Sequence, residues 1–294
     1  MTNEIRPALE GRSVEEQRVA LDQIGGSADM PAGVAVKRVS IHGLEAEWLI
    51  PANATERVVL YLHGGGFIMG SCDSHRAIAA RVATAARARA LVIEYRLAPE
   101  HPFPAGLEDV ITSYAWLLER GHAAEQIIFA GDSAGGGLAM SAILLAQERG
   151  LPQPGTLVMI SPWTDLTMSG ESLVTRSKID PWLQQGLCED NRSLYLCNGT
   201  SATDPLVSPV NADLANLPPT LIQVGDHEIL LSDSERVAES ARAAGVHVEL
   251  EVQPEMWHVW HLMAPLLPEA NEAYERIGAF IERRYEHPQI SACG

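Results

Sequence analysis

The chain has 294 residues, 46% of them hydrophobic and 20% charged, which is enough for one large α/β domain with a sizeable core. Its formal net charge of −17 argues against nucleic acid and anionic membrane surfaces as partners, because both require clustered Lys and Arg. The four cysteines show no Cys-x-x-Cys or Cys/His ligand spacing, so no structural metal is expected.

The N-terminal segment, residues 1–30, is polar with a few apolar positions, and we interpret it as a short helical arm. Residues 31–294 then form the larger domain. Residues 1–6 contain no apolar signal core, and no apolar run in the chain reaches transmembrane length. These features predict a cytoplasmic protein without membrane insertion, in which the cysteines are reduced.

The first half of the larger domain alternates predicted strands with helices. Apolar and polar residues alternate at 34–41 and 44–50, which predicts two half-exposed antiparallel strands. Residues 57–62 and 90–95 are mostly apolar, as is typical of buried parallel strands, and a helix is predicted over 106–120.

A glycine-rich loop, His63-Gly64-Gly65-Gly66-Phe67, follows the strand at 57–62 directly. Consecutive glycines let a backbone approach a ligand closely and turn its N–H groups toward one point. The chain lacks the glycine patterns of phosphate-binding loops. The loop instead resembles the His-Gly-Gly-Gly segment that completes the oxyanion hole of esterases, and His63 is expected to fix its shape through a hydrogen bond.

A Gly-x-Ser-x-Gly motif, Gly131-Asp132-Ser133-Ala134-Gly135, lies between a predicted strand at 126–130 and a predicted helix. A serine on such a tight, strained turn has its hydroxyl lifted above the sheet. Glycines flank it because side chains there would collide with the neighbouring strand and helix. The motif predicts Ser133 as a nucleophile and the Ala134 amide as a hydrogen-bond donor to an oxyanion.

The second half of the chain continues the alternation, with strands predicted at 156–160, 220–225 and 246–252 and helices at 233–244 and 268–285. Residues 167–205 lack regular strand signals, and we interpret them as an insertion that forms a cap over the site. This alternation predicts an α/β fold with a mostly parallel, doubly wound sheet.

A serine hydroxyl becomes a good nucleophile when a neighbouring base accepts its proton and a carboxylate orients that base. The fold supports the chain order serine, acid, histidine. His258 and His261 both follow the last predicted strand, and we favour His258 because it comes first. Asp226, Glu228 and Asp233 all lie in the turn after the preceding strand, and each is a candidate acid.

Four motifs then resemble the hormone-sensitive-lipase-like family (family IV) of the α/β-hydrolases, from about residue 45 to the C-terminus. They are His63-Gly64-Gly65-Gly66, Tyr95-Arg96-Leu97-Ala98-Pro99-Glu100, Gly131-Asp132-Ser133-Ala134-Gly135-Gly136 and Asp204-Pro205-Leu206-Val207-Ser208-Pro209. The resemblance implies an α/β-hydrolase fold with a small helical cap, built from the N-terminal arm and residues 167–205. It also implies that the amides of Gly65, Gly66 and Ala134 form the oxyanion hole, with Ser133 as nucleophile and His258 as base.

The acid of that family usually lies in an Asp-Pro-Leu-x-Asp segment. Counting from Gly245, which ends the following helix, the acid position falls on Glu228, and Leu230 matches the family's leucine. Glutamate can hold the imidazole if the backbone sits back by about one methylene. Asp226 remains the alternative acid, and Asp233 is expected to cap the helix that begins there.

These residues together predict a serine carboxylic-ester hydrolase that acts through an acyl-enzyme, without a metal or organic cofactor. Phe67, Asp132, Trp163 and Trp182 are the predicted pocket residues. The bulky aromatic side chains among them, under a short cap, predict short to medium acyl esters as substrates.

Two alternatives remain open. The same triad could hydrolyse lactones, or N-acetyl groups and amides. The fold also occurs in non-catalytic receptors such as the plant gibberellin receptors, but these lack the catalytic histidine, and the presence of His258 argues against that function. A homodimer through the edge strand at 246–252 is also expected, because an unpaired apolar edge favours pairing between copies.

Overall fold

Eight strands form a single sheet in the computed structural model, which describes residue 9 and residues 11–286. They are β1 (Val34–Ile41), β2 (Leu44–Pro51), β3 (Val58–Leu62), β4 (Arg89–Ile93), β5 (Ile127–Asp132), β6 (Thr156–Ile160), β7 (Thr220–Gly225) and β8 (Val248–Gln253). Their order across the sheet is β1-β2-β4-β3-β5-β6-β7-β8. β2 pairs antiparallel with β1 and β4, and all other pairs are parallel, so the prediction of a mostly parallel sheet is confirmed.

Helices cover both faces of this sheet. They are α1 (Val14–Gly26), α2 (Cys72–Ala86), α3 (Ala105–Glu119), α4 (Ala134–Glu148), α5 (Ser172–Thr175), α6 (Gln185–Tyr195), α7 (Leu231–Ala243) and α8 (Pro268–Glu286). Successive residues of a buried strand enter opposite cores: Leu60 belongs to the core under α3, α4 and α7, and Tyr61 to the core under α2 and α8. The predicted doubly wound arrangement is therefore confirmed, and the carboxyl ends of β5 to β8 lie at one end of the sheet.

The turn between α7 and β8 differs from the prediction at the start of the strand. The strand starts at Val248, not at residue 246, because the residues after α7 first close the end of that helix. Gly245 has a φ of 85°, and the Val246 amide donates to the Ala241 carbonyl oxygen, which closes the helix in a left-handed turn. This turn keeps Val246 out of the sheet.

The N-terminal arm contains one helix of 13 residues, α1, which begins after a capping box formed by Ser13 and Glu16. Residues 1–8 and residue 10 of the predicted arm lie outside the described residues. Arg18 joins the arm to the rest of the molecule. Its guanidinium donates to the carbonyl oxygens of Ile68 (2.7 Å) and Ala98 (2.9 Å) and forms an ion pair with Glu100. The arm is therefore bonded to the residue that directly follows the glycine loop.

The predicted insertion at residues 167–205 contains α5 and α6 and no strand. α6 packs above the glycine loop, where the Asn191 side chain contacts Gly66. Across the part of the chain that the structure describes, every helix is too short or too polar to cross a lipid bilayer.

The homodimer remains a prediction, since β8 is an edge strand whose outer side pairs with no described strand. We expect Val252→Lys to lower the dimer fraction, because Val252 is 40% exposed on this edge and a charge there opposes pairing between copies. Light scattering at micromolar concentration measures the effect. Val36→Lys is the matched control, since Val36 is 45% exposed on the opposite edge strand. A monomeric wild-type protein, or equal effects of both variants, would contradict this dimer.

Candidate active site

Ser133 occupies a strained turn between β5 and α4. Its φ of 52° is rare for a residue with a side chain, which agrees with the strained turn that the motif predicts. A Cβ on Gly131 would lie 2.5 Å from the Gly135 carbonyl oxygen, and one on Gly135 would lie 2.0 Å from the Leu62 carbonyl oxygen. The flanking glycines are therefore required by close contacts between the turn, the helix and β3.

A chain of hydrogen bonds runs from this serine to a buried carboxylate. His258 Nε2 lies 2.9 Å from Ser133 Oγ, and His258 Nδ1 lies 2.9 Å from Glu228 Oε2. Because an ionised carboxylate can only accept, Nδ1 carries the proton, and Nε2 is left to accept the serine proton. His261 lies apart from this chain, with Nε2 bonded to Gln223 Oε1 at 2.8 Å in the core.

Glu228 is fully buried, and both of its carboxylate oxygens are hydrogen-bonded. Its Oε1 accepts from the Gly225 amide at 2.6 Å and from Ser161 Oγ at 2.7 Å, while Oε2 accepts from His258. Ser161 also accepts a bond from the Val259 amide, so it joins the acid to the histidine loop. The sequence analysis did not single out Ser161. Its position was the available signal, because a residue directly after β6 lies beside the carboxyl end of β7 in a parallel sheet.

The other two carboxylates of the predicted acid turn have different roles. Asp226 is partly exposed, and its Oδ1 accepts from the Glu255 amide at 2.7 Å. Asp233 does not cap a helix, so that prediction is wrong. It lies inside α7, fully surrounded by protein, and accepts from the amides of Thr164 and Asp165. Burial raises the pKa of Asp233 to about 7, although these two donors act in the opposite direction.

The backbone amides of Gly65, Gly66 and Ala134 have no hydrogen-bond acceptor among the described residues. Gly65 and Gly66 have φ values of 112° and 61°, in the region that favours glycine. Ala134 is the first residue of α4, where amides lack acceptors within the helix. The three amides are thus available to a ligand beside Ser133.

Asp132 holds the glycine loop against the serine turn. Its Oδ1 accepts from the Gly64 amide at 3.2 Å and from the Tyr61 hydroxyl at 2.7 Å, and its Oδ2 lies 3.3 Å from His75 Nε2. Burial alone would raise the pKa of Asp132, but His75 and the Tyr61 hydroxyl hold it below its ordinary value. Sequence reasoning missed His75, because nothing in a helical segment shows which face meets the site.

His63 fixes the shape of the glycine loop, as predicted. Its Nδ1 donates to the Gly64 carbonyl oxygen at 2.8 Å, and its ring stacks on Tyr95 with centroids 4.1 Å apart. The Tyr95 hydroxyl in turn donates to the His63 carbonyl oxygen at 2.7 Å. Burial, with the nearby charge of His75, lowers the pKa of His63 to about 3, so this ring stays neutral.

A cavity of about 70 Å³ lies beside the serine hydroxyl. Asp132, Trp163 and Trp182 line it, as does His258. Phe67 is not among the described residues that line this cavity, because its ring stacks on Tyr195 with centroids 4.0 Å apart. The prediction of Phe67 as a pocket residue is therefore corrected: Phe67 is the last residue of the glycine loop, and its ring packs on Tyr195 at the end of α6.

Trp182 lies edge-on to the imidazole of His258, with ring centroids 5.9 Å apart. Asp180 holds it there. One carboxylate oxygen of Asp180 accepts from the amides of Trp182 and Leu183, and the other accepts from the Ile229 amide, each at 2.9 Å. The predicted insertion is thus bonded to the residue that follows Glu228.

No group of three or more His, Cys, Asp or Glu side chains within residue 9 and residues 11–286 is arranged to hold a metal ion. The arrangement beside Ser133 has the parts of a nucleophilic site: a hydroxyl, a base that can accept its proton, a carboxylate that orients the base, and free amides for an anion.

Comparison with known proteins gives a consistent result. The acetyl-hydrolase of Streptomyces hygroscopicus is 41% identical over 271 residues, which cover 91% of this chain and 89% of the relative. An esterase of Acinetobacter venetianus is 34% identical and covers 90% of this chain and 87% of the relative. The crystal structure of an esterase from the bacterial hormone-sensitive lipase (HSL) family superposes with a TM-score of 0.92 at 40% identity, over 96% of this chain and 95% of that chain.

The family profile of the α/β-hydrolase fold matches residues 59–262, which is most of the chain. This match agrees with the sheet order and with the serine turn between β5 and α4. The chain therefore belongs to the α/β-hydrolase fold family and, within it, to the HSL-like esterases of family IV.

Proposed function

We propose that the protein is a serine carboxylesterase that hydrolyses its substrates through an acyl-enzyme. The observation that carries this proposal is the unbroken chain of hydrogen bonds from the Ser133 hydroxyl through His258 to Glu228, at the wall of a cavity. Ser133 is the nucleophile, His258 the general base, and Glu228 the carboxylate that orients the base. Relatives named as esterases and carboxylesterases support the assignment.

In the acylation step, Ser133 Oγ attacks the ester carbonyl carbon while His258 Nε2 accepts the hydroxyl proton. The carbonyl oxygen becomes an oxyanion, and the amides of Gly65, Gly66 and Ala134 stabilise it. Each such donor is typically worth about 3–4 kcal/mol of transition-state stabilisation. His258 then gives the proton to the leaving alcohol, and water releases the acyl group from Ser133 with the same base.

Short to medium acyl groups fit the space beside the serine. The cavity measures about 70 Å³, and Trp163, Leu230 and Cys188 are buried side chains in its wall. A long acyl chain would have to displace these side chains from a packed core, which is costly. The acetyl-hydrolase among the relatives also supports a preference for small acyl groups.

We further propose that α1, α5 and α6 form a two-part cap. Leu9 and Leu21 from the arm line the catalytic cavity together with Leu187 and Asn191 from α6. This shared lining supports a cap whose two parts are the arm and the insertion. A cytoplasmic location is also proposed, and it rests on the sequence alone.

The acyl-enzyme can be tested by mass spectrometry. After acid quenching during turnover of p-nitrophenyl butyrate, we expect one butyryl group on the peptide that contains Ser133. Ser133→Ala should lose both the label and the hydrolysis, because no other described hydroxyl is bonded to His258. Hydrolysis that survives in Ser133→Ala, or a label on another residue, would exclude this nucleophile.

The identity of the acid can be tested with two matched amide substitutions. Glu228→Gln should lower kcat by about 10²–10⁴-fold, because a neutral carboxamide cannot hold the imidazole in the required tautomer or stabilise its charge. Asp226→Asn should change kcat by less than about threefold, since the Asp226 carboxylate bonds the Glu255 amide and lies near His227, and it is not hydrogen-bonded to His258. Circular dichroism checks that both variants are folded. The opposite ranking would assign the acid to Asp226.

Acyl preference can be tested with p-nitrophenyl acetate, butyrate, hexanoate and decanoate. We expect kcat/KM to be highest among the acetate, butyrate and hexanoate esters and at least about tenfold lower for decanoate. Trp182→Ala should reduce this difference, because the Trp182 ring forms a wall of the cavity. Phe67→Leu should leave the ratio unchanged, because Phe67 lies outside the cavity wall. Equal or higher kcat/KM for decanoate in the wild type would refute the short-acyl preference.

A further inference from the structure

A second, larger cavity opens beside the catalytic one. It measures about 570 Å³ and lies between the arm and α6, and we call it the arm–cap chamber. Its polar lining consists of Arg12, Gln17, Gln184, Asp190, Asn191 and Ser193. Trp182, Leu187 and Asn191 line both this chamber and the catalytic cavity, so the two spaces meet at these side chains.

Asn191 stands at this junction. The residue is only 6% exposed, and no described residue hydrogen-bonds its carboxamide. The carboxamide atoms are not among the fully buried atoms that lack a partner, so they reach the two spaces that the residue lines. A Cβ added to Gly66 would lie 2.1 Å from Asn191 Nδ2, so the carboxamide touches the glycine loop beside the free amides. The carboxamide can therefore hydrogen-bond a group that enters the space beside Ser133.

Gln17 of α1 is the other carboxamide in the wall of this chamber. It is 8% exposed and lines the arm–cap chamber, and its Nε2 donates to the carbonyl oxygens of Leu9 and Arg12. Its Oε1 is buried without a partner in the described part of the chain. Gln17 from α1 and Asn191 from α6 thus both line the chamber, but the unpaired Gln17 Oε1 is closed off from it, so Asn191 is the carboxamide that a bound group can reach.

A third cavity provides a contrast. It measures about 120 Å³ and also contacts Trp182, but most of its wall is apolar, including Leu21, Ile24 and Leu262. Trp182 thus contacts a small space with a mainly apolar wall and a large space whose wall mixes polar and apolar side chains, so the large space can accept a polar group. The two sides of the site differ in both size and polarity.

We propose that the substrates of this site are esters with one compact apolar part and one large polar part. The polar part occupies the arm–cap chamber, and Asn191 hydrogen-bonds it close to the scissile carbonyl group. This inference rests on the proposed esterase function and adds the substrate class to it. Asn191 acts here as a specificity residue that contacts substrate, whereas a purely structural Asn191 would affect all esters equally.

The test compares two pairs of esters with matched ring sizes. In the first pair the alcohol varies: methyl 6-O-acetyl-glucoside against cyclohexylmethyl acetate. In the second pair the acid varies: the ethyl ester of a methyl glucuronoside against ethyl cyclohexanecarboxylate. We expect the wild type to prefer the polar ester in one pair, and that pair identifies which part of the ester enters the chamber.

In that pair, Asn191→Ala should lower kcat/KM for the polar ester at least about tenfold and for the apolar ester less than twofold. In a Ser133→Ala background, calorimetry should show weaker binding of the polar ester when Asn191→Ala is added, independently of turnover. Gly186→Trp should fill the chamber, because a Cβ at Gly186 meets no atom within 4 Å, and it should raise KM for the polar ester only. Gly26→Trp is the matched control and should behave like the wild type, because a Cβ at Gly26 also meets no atom within 4 Å and Gly26 lies outside the walls of these cavities.

Turnover of p-nitrophenyl acetate by the wild type distinguishes a failure of the proposed esterase function from a failure of the chamber assignment. If that ester is not hydrolysed, the proposed function itself fails. If it is hydrolysed, but neither pair shows a polar preference, or Asn191→Ala affects polar and apolar esters equally, the function stands and the assignment of the chamber and of Asn191 is overturned.

Discussion

A buried, ionised carboxylate is stable only if hydrogen-bond donors replace the water that it has lost, and the architecture of the site follows from this need of Glu228. Its donors come from the ends of three neighbouring strands: the Gly225 amide from β7, Ser161 after β6, and His258 after β8. The carboxylate therefore fixes the relative positions of these strand ends. The histidine is held toward β5, where the strained turn presents Ser133.

The parallel sheet makes this convergence possible, because the carboxyl ends of adjacent parallel strands lie side by side. The turn at the end of β7 explains why glutamate can take the place of the shorter aspartate. The Glu228 amide donates to the Gly225 carbonyl oxygen, which forms a tight turn at the end of β7, and the longer side chain reaches back to the Gly225 amide and across to His258. The additional methylene is taken up inside this turn.

The sequence predicted those features that depend on local pattern. Ser133 was identifiable because its glycines lie between an apolar strand and a helix, and the doubly wound sheet because strands and helices alternate. Asp233 was assigned to a helix cap because acidic residues commonly begin helices, but its bonds to the amides of Thr164 and Asp165 depend on the distant β6 end. Likewise, no local pattern indicates that His75 faces Asp132.

Chemistry and specificity reside in different parts of the chain, yet they are mechanically joined. The reacting groups lie at the ends of buried strands, whereas Trp182 and Asn191 belong to the inserted segment and meet the arm across the arm–cap chamber. Asp180 bonds the insertion to the Ile229 amide, and Arg18 bonds the arm to Ile68, directly after the glycine loop. A substrate held between the arm and the insertion would therefore contact elements that are bonded to the segments with Glu228 and the free amides. Binding of the distant polar part of an ester can in this way improve the geometry at its carbonyl, which is how binding energy raises kcat.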